Sequence, residues 1–222
     1  MTRIAVCLAG CGVNDGSEIH ESVLTLLALS RAGVKVQCCA PDDLQHDLVN
    51  HLNGDVQQEG SRNILEESAR IARGEIVPLS KIDAADFDAI IFPGGFGAAK
   101  NLCDFALVGA DARAHPEVER VICNFVDSQK VLGFICIAPA ICASALRNHH
   151  VVPELTIGNC PETAKALETM GAKHVASQVD QIHVDVENRI VSTPAYMLAT
   201  NLVDLAKGID SLVNQVVAMC KC

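Results

Sequence analysis

The chain has no tryptophan, one tyrosine and only 3% aromatic residues. Its core must therefore be aliphatic and alanine-rich, as expected where helices pack closely on a parallel sheet. No run of about 18 apolar residues occurs, so no membrane-spanning helix is expected. Lys and Arg form no cluster: the seventeen basic residues are scattered, and the net charge is −10. Binding a phosphate backbone needs a concentrated positive face, so nucleic acid is not an expected partner. The glycine run Pro93–Gly97 is neither a GxGxxG fingerprint nor a glycine loop ending in Gly-Lys-Ser/Thr, because Lys100 follows Gly97 too closely, which argues against a phosphate-binding loop there. The first strand starts at Arg3, directly after Met1. That leaves no room for a signal or transit peptide, and a cytoplasmic location is expected.

What is present is half hydrophobic: 222 residues at 50% suit one well-buried domain spanning residues 1–222. Eleven cysteines are an odd count. Cys7, Cys38, Cys39, Cys123 and Cys142 lie inside apolar runs. That is cysteine used as a small hydrophobe in a reducing compartment, not a disulfide framework. Cys38 and Cys39 are adjacent on a predicted strand, so they point to opposite faces and chelate poorly together. Cys220-Lys-Cys222 has no second pair to complete a zinc site. His149-His150 reads as a solvated pair in a polar loop. No metal and no other cofactor is expected.

Strands alternate with helices along the chain. Arg3–Ala9 reads as a strand, 17–32 as a helix with Val23, Leu26 and Leu27 at helical spacing, and 34–40 as a second strand. A helix over 62–73 and short strands at 76–79 and 87–92 follow. Pro116 suits the first position of a helix running to Phe125. After a strand at 155–157 and a helix over 162–170, residues 182–185 and 189–193 read as a hairpin. Two closing helices are expected, over 197–205 and 209–220. The pattern predicts an α/β fold: a doubly wound three-layer sandwich around a mostly parallel sheet.

Three stretches fall at carboxyl ends of predicted strands, where open α/β sheets bind ligands. In Lys130–Ala140 the buried run Val131-Leu-Gly-Phe-Ile135 meets Cys136, and small residues then turn into a helix. This is the logic of a nucleophile elbow with sulfur for oxygen. A helix N-terminus favours the thiolate, and its amides supply donors for an oxyanion. Asp15-Gly-Ser-Glu18-Ile-His-Glu21 sets acids around the first turn of a helix. Such acids complement the helix dipole, or one of them serves as proton donor or base in the crevice. Pro93-Gly-Gly-Phe-Gly97 follows a buried strand, and its amides suit an oxyanion hole. No histidine adjoins Cys136. His183-Val-Asp185 is the nearest match to a catalytic His-x-Glu, with Asp in place of Glu.

Phe92-Pro-Gly-Gly-Phe-Gly97 with Ile135-Cys-Ile-Ala-Pro139 resembles the PfpI superfamily, which includes the Parkinson-linked deglycase and class I glutamine amidotransferase-like proteins. The stretches 15–21, 61–74, 93–102 and Thr193-Pro-Ala-Tyr-Met197 resemble its ElbB branch, named for isoprenoid biosynthesis and with bacterial and mitochondrial relatives. The resemblance covers essentially the whole chain. It implies a flavodoxin-like sandwich, a homodimer, and a reactive Cys136 hydrogen-bonded to a protonated glutamate. That glutamate is Glu21, with Glu18 as the fallback. It also implies oxyanion donors at Gly95 and Ile137 beside Gly94, and substrate binding by Asn101 and Pro139. PfpI-type proteases carry a histidine directly after the cysteine, where this chain has Ile137. That departure weakens a peptidase or amidase reading.

These pieces make two functions worth testing. One is a cofactor-independent glyoxalase acting on small α-oxoaldehydes such as methylglyoxal or glyoxal. The other is a redox-sensing or partner-binding regulator in which Cys136 is oxidised. A cysteine hydrolase of the same superfamily is the remaining alternative.

Overall fold

The computed structural model describes residues 1–221. The apolar alternations form nine strands: β1 (Arg3–Cys7), β2 (Lys35–Ala40), β3 (Ile76–Pro78), β4 (Ala89–Phe92), β5 (Val131–Ile135), β6 (Glu154–Leu155), β7 (Lys173–His174), β8 (His183–Asp185) and β9 (Ile190–Thr193). Eight α-helices join them: α1 (Ile19–Arg31), α2 (Ile64–Ala72), α3 (Phe96–Lys100), α4 (Phe105–Val108), α5 (Pro116–Asp127), α6 (Pro139–Ala145), α7 (Pro161–Thr169) and α8 (Leu202–Met219).

The main sheet has the order β3-β2-β1-β4-β5-β9-β8. All its pairings are parallel except β8 with β9, the hairpin expected from the sequence. β6 and β7 pair separately on either side of α7. The chain leaves β1 toward β2 on one side and returns to β4 on the other, so a crevice opens between the ends of β1 and β4. One core lies under α5, α6 and α7, with Val118, Ile122, Phe125, Ile141 and Leu167. The other lies under α1 and α8, with Leu29, Ile209, Leu212, Val213 and Val216. Cys39 belongs to the first core and Cys38 to the second, the opposite faces expected of neighbours on a strand. This is the flavodoxin-like, three-layer arrangement.

Two local expectations are corrected. The closing segment is one helix of 18 residues, α8, not two. Gly208 looks like a break in sequence, but it is a contact: a Cβ there would stand 2.8 Å from the Val179 carbonyl oxygen. The glycine lets α8 lie against residues 179–180 without ending the helix. On α1, Val23 and Leu27 are exposed, while Glu21, Ser22, Thr25, Ala28 and Leu29 face inward. The hydroxyls can turn inward because the helix itself satisfies them. Ser22 Oγ donates to the Glu18 carbonyl at 2.7 Å, and Thr25 Oγ1 to the Glu21 carbonyl at 2.7 Å. That rotation is what aims Glu21 at the sheet.

Candidate active site

Cys136 follows the last residue of β5 and precedes α6 by three residues. Its φ is +63°, a left-handed conformation that costs a side-chain-bearing residue about 1 kcal/mol or more. The strain holds because both flanks are fixed. Cys136 N donates to the Thr193 carbonyl of β9 at 3.0 Å, and Ala138 N to the Ile135 carbonyl at 3.0 Å. The sulfur is thereby turned out of the strand and held at the sheet's carboxyl end.

Glu21, in the first turn of α1, is fully buried and reaches the same point. Its Oε2 accepts from Gly94 N at 2.9 Å and its Oε1 from Tyr196 N at 3.2 Å. Its carboxyl is also hydrogen-bonded to the Cys136 side chain. Three separate connections, after β4, β5 and β9, thus converge on one carboxyl. Tyr196 N is presented by a short 3-10 turn in which Ala195 has φ +46°. The sequence singled out Thr193–Met197 by resemblance alone. No pattern in it announces that a backbone amide there will hold a glutamate.

Glu18 plays a different part. Its Oε2 accepts from Glu21 N at 2.6 Å and caps α1, while its Oε1 stands 3.7 Å from His20 Nδ1. It lines the pocket but makes no bond to the sulfur, so the glutamate joined to Cys136 is Glu21.

The amides of Gly95 and Ile137 hydrogen-bond the Cys136 sulfur. Gly94 N does not, because it is committed to Glu21. Gly94 is required for contact: a Cβ there would meet Cys136 Cβ at 2.5 Å and Glu21 Oε2 at 2.7 Å. The glycine loop is locked to the loop before α1 by backbone bonds. Glu18 N donates to the Gly94 carbonyl at 2.9 Å, Phe96 N to Val13 at 2.7 Å and Gly97 N to Gly16 at 2.9 Å.

Burial pushes the Glu21 carboxyl up to about 7, with the nearby Glu18 charge adding to it. Burial likewise pushes the Cys136 thiol well up, and the Glu21 charge adds to it. The lowered thiol expected from the helix N-terminus is therefore corrected. A short helix beginning three residues later does not offset desolvation plus a facing carboxyl. The pair retains a proton at neutral pH, and Glu21 is poised to exchange it.

Cys136 opens into a cavity of about 610 Å³ whose walls include Val13, Glu18, Phe96, Phe105, Ile137 and Met197. His20 and Tyr196 also line it, with His20 Nδ1 2.8 Å from Tyr196 Oη. Neither side chain was assigned a role from the sequence, because 176 residues separate them. Asn101 and Pro139 are not on this wall. Asn101 Nδ2 donates to the Ala9 and Asp15 carbonyls at 2.8 and 2.9 Å, and Oδ1 accepts from His46 N at 2.9 Å, so it ties loops together. Pro139 is buried at the start of α6. His183 Nε2 pairs with Glu154 Oε2 at 3.1 Å, and Asp185 accepts from Glu154 N at 2.8 Å. The His183–Asp185 motif is thus spent on the β8 edge.

All ten cysteines among the described residues are free, and Cys222 of the tail motif lies outside them. Cys160, ahead of α7, differs from Cys136 in environment. Its thiol is pulled down by hydrogen bonding from Thr163, whose Oγ1 is 3.3 Å away. Iodoacetamide at neutral pH is therefore expected to modify Cys160 before Cys136, as read by peptide mass spectrometry. Faster labelling of Cys136 would mean that its thiolate is already populated at rest.

Residues 3–199 match the model of the DJ-1/PfpI family. The chain is 45% identical over 226 residues to glutamine amidotransferase-like class 1 domain-containing protein 3, mitochondrial, of Homo sapiens, covering 98% of this chain and 83% of that protein. It is 44% identical over 226 residues to the ES1 protein homolog, mitochondrial, of Rattus norvegicus, covering 98% of this chain and 84% of that one. A crystal structure of an isoprenoid biosynthesis protein with amidotransferase-like domain from Ehrlichia chaffeensis matches with a TM-score of 0.91 at 36% identity, over 99% of each chain. The mitochondrial names of the two relatives overturn the expected cytoplasmic location. That expectation rested on the position of the first strand, which does not report the compartment in which a fold works.

Proposed function

The chain belongs to the DJ-1/PfpI family, and from that premise we propose that it is a cofactor-independent glyoxalase-type enzyme for small α-oxoaldehydes. The observation that carries the reading is the Cys136–Glu21 pair, flanked by the Gly95 and Ile137 amides at the base of an apolar-walled cavity. The mitochondrial relatives support a mitochondrial setting.

Each step has a residue. Glu21 takes the thiol proton as the Cys136 sulfur attacks the aldehyde carbon of methylglyoxal, and the proton passes to the new hydroxyl. The Gly95 and Ile137 amides stabilise the oxyanion on the way. Glu21 then removes the proton from the former aldehyde carbon and returns it to the neighbouring carbonyl carbon, while the hydroxyl proton of the first carbon moves to the oxygen of the second. The first carbon is oxidised and the second reduced, which leaves a lactoyl thioester. Water cleaves the thioester, giving lactate and the free thiol. Methylglyoxal plus water equals lactic acid, so no external oxidant or reductant is needed. A carboxyl near 7 suits this double duty, since it both accepts and returns protons at neutral pH. The substrate is neutral and the product anionic, so Glu18 on the wall favours product departure.

The amidotransferase-like part of the relatives' names is not carried into this reading. His183 and Asp185 are engaged with Glu154, so they are not available as a catalytic pair for Cys136.

The test is lactate formation from methylglyoxal without glutathione, over many turnovers per chain. Single-turnover modification with no lactate would favour the redox-regulator reading instead. A finer test follows from the second cause of Glu21's raised value. Glu18→Gln removes a negative charge but keeps an oxygen to cap α1. The acid limb of kcat/KM is expected to move to lower pH by about one unit. An unmoved limb would mean that Glu18 does not tune the reacting carboxyl.

A further inference from the structure

At the end of β5 opposite Cys136, α5 ends in Asp127, and the turn after α6 brings His149 and His150 beside it. The sequence separates these groups by more than twenty residues, which is why His149-His150 reads there as a solvated pair. In the fold, one ligand-type atom from each of the three lies within 4.8 Å of the others. His149 Nε2 is 3.2 Å from Asp127 Oδ1, and the two imidazole centroids are 4.1 Å apart. His149 Nδ1 is buried with no hydrogen-bond partner, so the ring's polar contact is the one that Nε2 makes with Asp127.

We propose that Asp127, His149 and His150 form a binding site for a divalent transition metal of the zinc type. Two imidazole nitrogens and one carboxylate oxygen are the donors such an ion prefers over calcium or magnesium. Zinc–ligand bonds of about 2.0–2.1 Å place neighbouring tetrahedral donors roughly 3.3 Å apart. The His149–Asp127 separation already has that length. His150 is exposed, so its ring is free to close the remaining distance. Water completes the fourth position. A cation here also meets the negative end of α5, a helix of 12 residues. The metal would pin α5 to the segment after α6. It would take no part in chemistry at Cys136, which lies at the other end of β5.

The experiment uses the full chain, reduced, with zinc added alone. Zinc is expected to raise the melting midpoint by about 5 °C near saturation. His150→Ala and Asp127→Asn are expected to weaken zinc binding by about tenfold or more and to lose the shift. Both residues are exposed, so these variants fold, and lactate formation serves as a control that stays unchanged. Cobalt substitution reports the donors directly: nitrogen and oxygen ligation gives visible d–d bands without the near-ultraviolet sulfur charge-transfer band. Three results would overturn the proposal: no zinc effect on the parent chain, equal shifts in both variants, or a sulfur charge-transfer band placing the ion on cysteine.

Discussion

Cys136→Ala is expected to lower lactate formation from methylglyoxal by at least about a thousandfold, with the fold retained. The size follows from what alanine removes. Without sulfur no bond forms to the aldehyde carbon, and no hemithioacetal exists for Glu21 to isomerise. The Gly95 and Ile137 amides and the cavity remain, so residual rate reports binding and oxyanion donors alone. Folding should survive for local reasons. Alanine and cysteine bear the same cost at a φ of +63°, and Glu21 keeps the amides of Gly94 and Tyr196 as partners. Circular dichroism of the variant separates loss of chemistry from loss of structure. Lactate formation within about twofold of the parent, with folded protein, would sink the mechanism, because no other group of the site supplies a nucleophile at that position.

The strand, turn and helix around Cys136 were legible because each depends on neighbours in sequence. A buried run of five residues, a cysteine and a Pro-initiated helix announce themselves locally. The order of alternation likewise gave the layers. What could not be read was anything decided by a distant group. The face of α1 reversed because Ser22 and Thr25 satisfy their hydroxyls on the helix backbone, which hydrophobic spacing does not register. Gly208 stayed inside α8 because of a carbonyl 29 residues earlier in the chain. The direction of the Cys136 thiol depended on burial and on Glu21, 115 residues away in sequence. Asn101 lay in the right motif, yet its polar atoms serve three backbone groups of other loops. Local chemistry placed Cys136 at the sheet's carboxyl end, and tertiary packing decided its protonation and its partners.

Glu21→Gln is expected to flatten the pH dependence of stability as well as to suppress turnover. The carboxyl sits at about 7 in the fold against an ordinary value of 4.5. The folded chain therefore binds this proton more tightly than the unfolded chain does. Stability from that preference is complete below about pH 4.5 and is lost as pH rises through about 7. The gap corresponds to on the order of 3 kcal/mol, or roughly 6–12 °C in melting midpoint for a chain of this length. The parent should lose this much between pH 5 and pH 8, where the buried carboxyl becomes charged. Glutamine stays neutral, so the variant should lack that decline. Two titrating groups beside the carboxyl, the Cys136 thiol and the Tyr196 hydroxyl, do not imitate it. Both are pushed upward, and they ionise above this window. Any shared background cancels in the difference between the two proteins. Glutamine also cannot relay a proton, so its turnover should fall at every pH instead of recovering on the alkaline side. Parallel stability curves for parent and variant from pH 5 to 8 would show that Glu21 is not held protonated by burial. The acid–base role assigned to it would then lose its physical basis.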